Sequence, residues 1–78
     1  SFGNNSLKMW MYDDVFRVHS KDLINGIIEI YDLQGKLIIK QNVNSFDEMI
    51  NLSKESSGMY IAKLNLVDGT SYKKKIIK

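Results

Sequence analysis

The one histidine of the chain, His19, stands beside Ser20 with Asp14 and Asp22 close by, which are the side-chain types of a base, a nucleophile and an orienting acid. Neighbouring residues on a strand project to opposite faces, so His19 and Ser20 share a hydrogen bond only if the chain bends between them. No nucleophile elbow and no glycine-supported oxyanion site surrounds Ser20. The pattern reads as a strand end followed by a polar turn, and no catalytic residue is expected. Two carboxylate pairs, Asp13-Asp14 and Asp47-Glu48, offer the oxygens that calcium favours, but neither has the regular D-x-[DN]-x-[DN]-G spacing of a calcium loop. They read as solvated turn residues, with no metal expected. Gly35, Gly58 and Gly69 are isolated, so no phosphate-cradling loop forms and no cofactor is expected. Trp10, Tyr12, Tyr31, Tyr60 and Tyr72 would make a sugar-stacking platform if they met on one exposed face; separately they are half-buried strand residues.

The remaining chemistry is charge. The 78 residues carry 11 Lys+Arg against 9 Asp+Glu, and the excess is terminal: residues 1–72 hold seven basic and nine acidic side chains, while residues 73–78 hold Lys73, Lys74, Lys75 and Lys78 and no acid. Such a cluster attracts anions or guards an edge strand against edge-to-edge pairing. Without an arginine-rich face or interleaved aromatics it does not point to nucleic acid. With no cysteine, neither a disulfide framework nor a thiolate zinc site is possible. The length fits one domain, and the Ser1-Phe2-Gly3 start, without Met or a signal-like layout, suggests a C-terminal piece of a longer protein.

The elements that must position these residues are short β-branched and aromatic runs, spaced 8 to 12 residues apart and bounded by Gly, Asn, Asp or Ser. Seven strands are expected, at Leu7–Tyr12, Val15–His19, Ile27–Asp32, Lys36–Val43, Phe46–Leu52, Met59–Val67 and Thr70–Ile77. Asp68-Gly69 suits a tight two-residue hairpin, Asp32-Leu33-Gln34-Gly35 a turn with a left-handed glycine, Asn25-Gly26 a third turn, and Asp13-Asp14 a weaker one. Polar Ser53–Gly58 suits a helical turn or a crossover between sheets. Alternation places Phe16, Val18, Ile28, Ile30, Tyr60, Ala62, Leu64 and Leu66 inward, joined by Leu37, Ile39, Phe46, Ile50 and Leu52. The expected class is all-β, an immunoglobulin-like antiparallel sandwich.

Four segments, taken together, carry a family resemblance. Ile28-Glu29-Ile30-Tyr31-Asp32-Leu33-Gln34-Gly35-Lys36-Leu37, Ile50-Asn51-Leu52-Ser53, Ser57-Gly58-Met59-Tyr60-Ile61-Ala62-Lys63-Leu64 and Lys74-Lys75-Ile76-Ile77-Lys78 follow one another in the order and spacing of the type IX secretion system C-terminal sorting domain, type A. The chain resembles that family from about Phe16 to Lys78. Members commonly open on a proline-containing stretch, whereas this chain has no proline, and Asn4-Asn5 and the Leu7–Tyr12 run stand in its place.

The resemblance implies a seven-stranded immunoglobulin-like sandwich without catalytic activity. It sits behind an upstream cargo domain and directs that cargo from the periplasm through the type IX outer-membrane translocon. A surface signal peptidase then removes it and can attach the cargo to anionic lipopolysaccharide, leaving the cargo secreted or at the surface of a Gram-negative cell. Under that reading Gly58, Tyr60, Lys74, Lys75 and Lys78 carry recognition, with Gly58 and Tyr60 acting chiefly by shaping the sheet. The alternative is a carbohydrate- or protein-binding accessory module of a surface enzyme or adhesin, using Trp10 and exposed tyrosines. A homodimer through the Thr70–Ile77 edge strand is a further possibility.

Overall fold

The structure, a computed structural model, describes residues 6–78; Asn4-Asn5, where the family's proline stretch would fall, lie outside the described residues. Five antiparallel strands account for the seven expected runs: β1 (Lys8–Tyr12), β2 (Val15–Asp32), β3 (Leu37–Asn51), β4 (Met59–Leu66) and β5 (Ser71–Ile77). Asp13 and Asp14 both take left-handed angles, φ 52° and 63°, so the turn between β1 and β2 has the mirror-image geometry that matches strand twist. The Asp32–Lys36 turn closes on its own aspartate, whose Oδ1 accepts the N–H groups of Gln34 and Lys36, both at 2.9 Å. Between β4 and β5 the loop is Val67-Asp68-Gly69, three residues rather than two, because Leu66 N–H bonds Thr70 O at 2.8 Å. Gly69 takes the left-handed position at φ 95°. Asp68 Oδ1 accepts the Thr70 N–H at 2.8 Å, and this bond holds its carboxyl below the usual carboxylate range.

Two expected breaks are bends inside long strands. In the β2–β3 ladder His19 pairs Asp47 and Ile24 pairs Ser45, so four residues, Ser20 to Leu23, oppose Phe46 alone. A surplus of three is odd, and an odd offset changes which residues of β3 share a face with a given residue of β2. In the first half even-numbered Phe16 opposes even-numbered Ile50; in the second, Gly26 opposes odd-numbered Val43. The bend directs both halves at one core. Val15–His19 of β2 lies between β1 and the end of β3, whereas Gly26–Asp32 lies between the start of β3 and β4, with β5 beyond.

The result is a two-layer sandwich around Phe16, Val18, Ile24, Ile28, Ile30, Val43, Ile50, Leu52, Tyr60, Ala62, Leu64 and Ile76. Most inward assignments hold, but Phe46 and Leu37 are exposed and Ile39 is only half buried. Phe46 sits at the bend, without a partner in β2. Ser53–Gly58 is a non-helical crossover joining β3 in one layer to β4 in the other. Asn25-Gly26 is not a turn: Gly26 is buried in mid-strand, and a Cβ there would lie 2.2 Å from Asn65 O and 2.9 Å from Leu66 Cα. Glycine is required because two backbones approach closely. Gly26→Ala is therefore expected to cost at least about 2 kcal/mol in urea unfolding, while Lys21→Ala, exposed at the bend, changes the midpoint little.

Candidate recognition site

The terminal strand is held in two different ways along its length. Gly58 and Lys78 exchange both backbone bonds, Lys78 N–H to Gly58 O at 2.8 Å and Gly58 N–H to Lys78 O at 3.1 Å, carrying the β4–β5 ladder past the ends of both strands. Gly58 does so at φ 148°, a conformation that side-chain-bearing residues rarely adopt. The Lys78 ammonium donates to Glu55 O at 2.6 Å and Ser53 O at 3.3 Å. Buried Tyr60 donates its hydroxyl to Ser56 O at 2.5 Å. Gly58, Tyr60 and Lys78 thus meet around one feature, the 53–58 crossover, which they fasten to the end of the sheet.

Lys73, Lys74 and Lys75 are apart from this cluster and exposed. Because Gly58 and Lys78 form a hydrogen-bonded pair, alternation along the ladder makes Ala62 with Lys74 another, and Lys63 with Lys73 and Ile61 with Lys75 non-hydrogen-bonded pairs. The side chains of Lys73 and Lys75 stand on the outer face. Lys74 shares the core-facing side with Ile76, which is buried, yet remains exposed at the margin of the sandwich. An inward-directed lysine on an edge strand discourages pairing with another sheet. Pairing β5 with its own copy would also bring two lysine triplets together, which weighs against the edge-strand homodimer.

The other candidates are dispersed. His19 Nδ1 lies 2.5 Å from Asp47 Oδ1 in an exposed pair, while Ser20 is buried on the opposite side, accepting the Asp22 N–H at 3.1 Å and lying 3.2 Å from Ser6 Oγ. Asp13-Asp14 forms the β1–β2 turn, and among the described residues no group of three or more His, Asp or Glu side chains is placed to hold a metal ion. The aromatics divide as well. Tyr60 is in the core, Tyr72 packs against it, Tyr31 is on the outer face of the larger layer, and Trp10 and Tyr12 are on the smaller one. There Trp10 pairs across from Arg17, whose guanidinium lies 5.9 Å from the Tyr12 ring centre and donates to Met49 Sδ at 3.0 Å. Sequence reading offered Tyr31 only as part of a stacking platform and gave Lys63 no binding role; the two lie side by side on the outer face, the Lys63 ammonium 5.4 Å from the ring centre.

Comparison with known proteins bears on this terminal-strand arrangement. The family model of the secretion system C-terminal sorting domain matches residues 12–78, from the last residue of β1 to the end of the terminal strand. The chain belongs to this family. A crystal structure of a DUF3244 family protein from Bacteroides vulgatus, described as an immunoglobulin-like β-sandwich, superposes with a TM-score of 0.86 at 11% identity, covering 100% of this chain and 89% of that one. At that identity the likeness establishes the fold. No curated protein matched the chain. In this sorting domain the matched span includes the bent β2–β3 hairpin, the Gly58–Lys78 closure and all the terminal lysines, while most of β1 falls outside it.

Two outcomes separate fastening from presentation. Lys78→Ala is expected to lower stability by about 1–2 kcal/mol in urea unfolding, the worth of hydrogen bonds to a charged group, and to speed amide exchange in the 53–58 crossover. Lys75→Ala should leave both nearly unchanged. Lys74→Val is expected to turn a monomer into a concentration-dependent dimer by light scattering; a strictly monomeric variant would show that Lys74 does not guard the edge.

Proposed function

We propose that this sorting domain is a non-catalytic address read in its folded form. It directs an upstream cargo domain from the periplasm through the type IX outer-membrane translocon, after which a surface signal peptidase removes it and the cargo is released or attached at the cell surface. The family match over residues 12–78 is the observation that carries this reading. The architecture supports it in two ways. The residues proposed for recognition fall into a fastening group, Gly58, Tyr60 and Lys78, and a presented group, Lys74 and Lys75 with Lys73. In addition, none of the chemistry-bearing side chains assembles into a catalytic constellation among the described residues.

In this scheme Gly58 and Tyr60 act indirectly, by fixing where the last strand runs. The lysines act directly, as cations on an edge held by one neighbouring strand. Deleting residues 72–78 would remove buried Ile76 as well as the lysines, so a truncation confounds folding with recognition. A cleaner test fuses residues 1–78 to a fluorescent reporter in a secretion-competent cell and replaces Lys73, Lys74 and Lys75 with Gln. The expected result is reporter retained inside the cell while the purified domain stays folded and melts no lower than the parent. Unchanged export by the folded triple variant would remove the lysines from the mechanism.

A further inference from the structure

The outer face of the larger layer gathers more positive than negative charge, with Glu29 the one acid set among Lys40, Lys63 and Lys73 in the described residues. Across its strands runs one transverse row, Lys40, Glu29, Lys63 and Lys73, in which Glu29 opposes both Lys40 and Lys63. Beside it Tyr31, Ile61 and Lys75 form a second row. Lys63 and Lys73 oppose each other directly at a non-hydrogen-bonded position, where side chains come closest. Like charges placed in this way destabilise a sheet. No carboxylate bridges them: the one ion pair among the described residues is His19 with Asp47, in the other layer.

Next to this pair is a hollow of about 390 Å³, with Tyr31 and Ile61 contributing apolar surface and Leu33, Lys63 and Lys73 also lining it. Its only acid, Asp32, turns its Oδ1 inward to the Gln34 and Lys36 N–H groups. Glu29 borders the hollow beside Tyr31 and opposite Lys63, away from Lys73, and accepts a bond from Asn65 Nδ2 at 3.5 Å. Desolvation and then hydrogen bonding to Glu29 hold the Tyr31 hydroxyl above its ordinary pKa, so Tyr31 stays neutral beside the lysines at neutral pH.

We propose that this hollow is a docking site for an acidic segment of a partner protein, one that sets an apolar side chain against Ile61 and Tyr31 and a carboxylate between the Lys63 and Lys73 ammonium groups. The carboxylate would relieve a repulsion that Glu29, opposite Lys63 but not Lys73, compensates only in part, and the apolar contact gives position to what charge alone would leave diffuse. A second copy of this chain is the wrong partner for the same reason, since its equivalent face is cationic. The inference rests on the sorting reading for the partner's place in export, and adds to it the partner's chemistry and the residues Lys63, Tyr31 and Ile61.

The probe is an end-blocked heptapeptide with one leucine flanked on each side by glutamate, titrated into isotopically labelled domain 1–78, with a glutamine-for-glutamate peptide as control. Expected are saturable shifts centred on Tyr31, Ile61, Lys63 and Lys73, weakening as salt rises. Binding should be about tenfold weaker with the glutamine peptide or with Lys63→Thr/Lys73→Thr, the equivalent of two cross-strand charge pairs. Lys21→Thr should bind as the parent does. Lys73→Glu supplies the carboxylate within the chain, so it should raise the melting temperature while abolishing peptide binding.

Equal binding of the two peptides, shifts located elsewhere, or a lower melting temperature in Lys73→Glu would overturn the inference. So would an inert peptide combined with lysine-dependent binding to vesicles of anionic lipid, which would make the partner a membrane. The export assay on Lys63→Thr/Lys73→Thr keeps the two readings apart. Lysine-dependent peptide binding by a domain that does not export its cargo contradicts the sorting reading alone; export by the parent domain without peptide binding contradicts this inference alone.

Discussion

Four residues of β2 opposing one of β3 is the constraint from which the remaining architecture follows. Without that surplus of three, one long hairpin would present a single apolar face and need a second sheet from elsewhere in the chain. With it, the same two strands line both layers, and β1 and β4 attach where each half of β2 has a free side. β1 takes the first half, β4 the second, and β5 is left at the margin, paired among the described residues with β4 alone. The position of the charged terminal strand is thus a consequence of a bend some fifty residues earlier in the sequence.

An edge strand in a domain this small needs compensation, since such a core nets only about 3–5 kcal/mol. The chain supplies it at the strand's far end. Ile76 enters the core, Lys78 exchanges backbone bonds with Gly58, and the Lys78 ammonium binds two crossover carbonyls. Fastened there, the strand can carry Lys73, Lys74 and Lys75 without apolar cover. Two of them point outward beside Lys63, and the third is directed inward, where it opposes pairing with other sheets. Residues of one type within six positions are therefore placed differently: Lys78 fastens the crossover, Lys74 is directed inward at the margin, and Lys73 and Lys75 stand on the outer face.

Local signals made much of this legible. Alternation identified Phe16, Val18, Ile28, Ile30, Tyr60, Ala62 and Leu64 as core because each lies in a run with one unbroken ladder neighbour. Turn chemistry located the Asp32–Gly35 and Asp68-Gly69 turns, though not the length of the second, because each aspartate Oδ1 accepts a nearby backbone N–H and each glycine takes the left-handed angle. What escaped depended on pairing between distant segments. Phe46 has the parity of Ile50 and still faces solvent, because it stands opposite the bend. Asn25-Gly26 has the composition of a turn, but its glycine answers the approach of Asn65 in β4. The division of Lys78 from Lys74 and Lys75 was equally hidden, since it depends on where Ser53 and Glu55 place their carbonyls.

The sorting reading makes a folded surface, not a linear string of residues, the signal. Phe16 is buried in the core and lies outside the four motif segments, so Phe16→Asp should unfold the domain while leaving every lysine and every motif segment in place. The direct measurement is the fraction of a fused reporter that reaches the outside of the cell with this variant, with circular dichroism of the purified domain establishing that it is unfolded. The account predicts that export is lost. Export at the parent level by the unfolded domain would contradict it, and would move the signal from the sheet to the sequence.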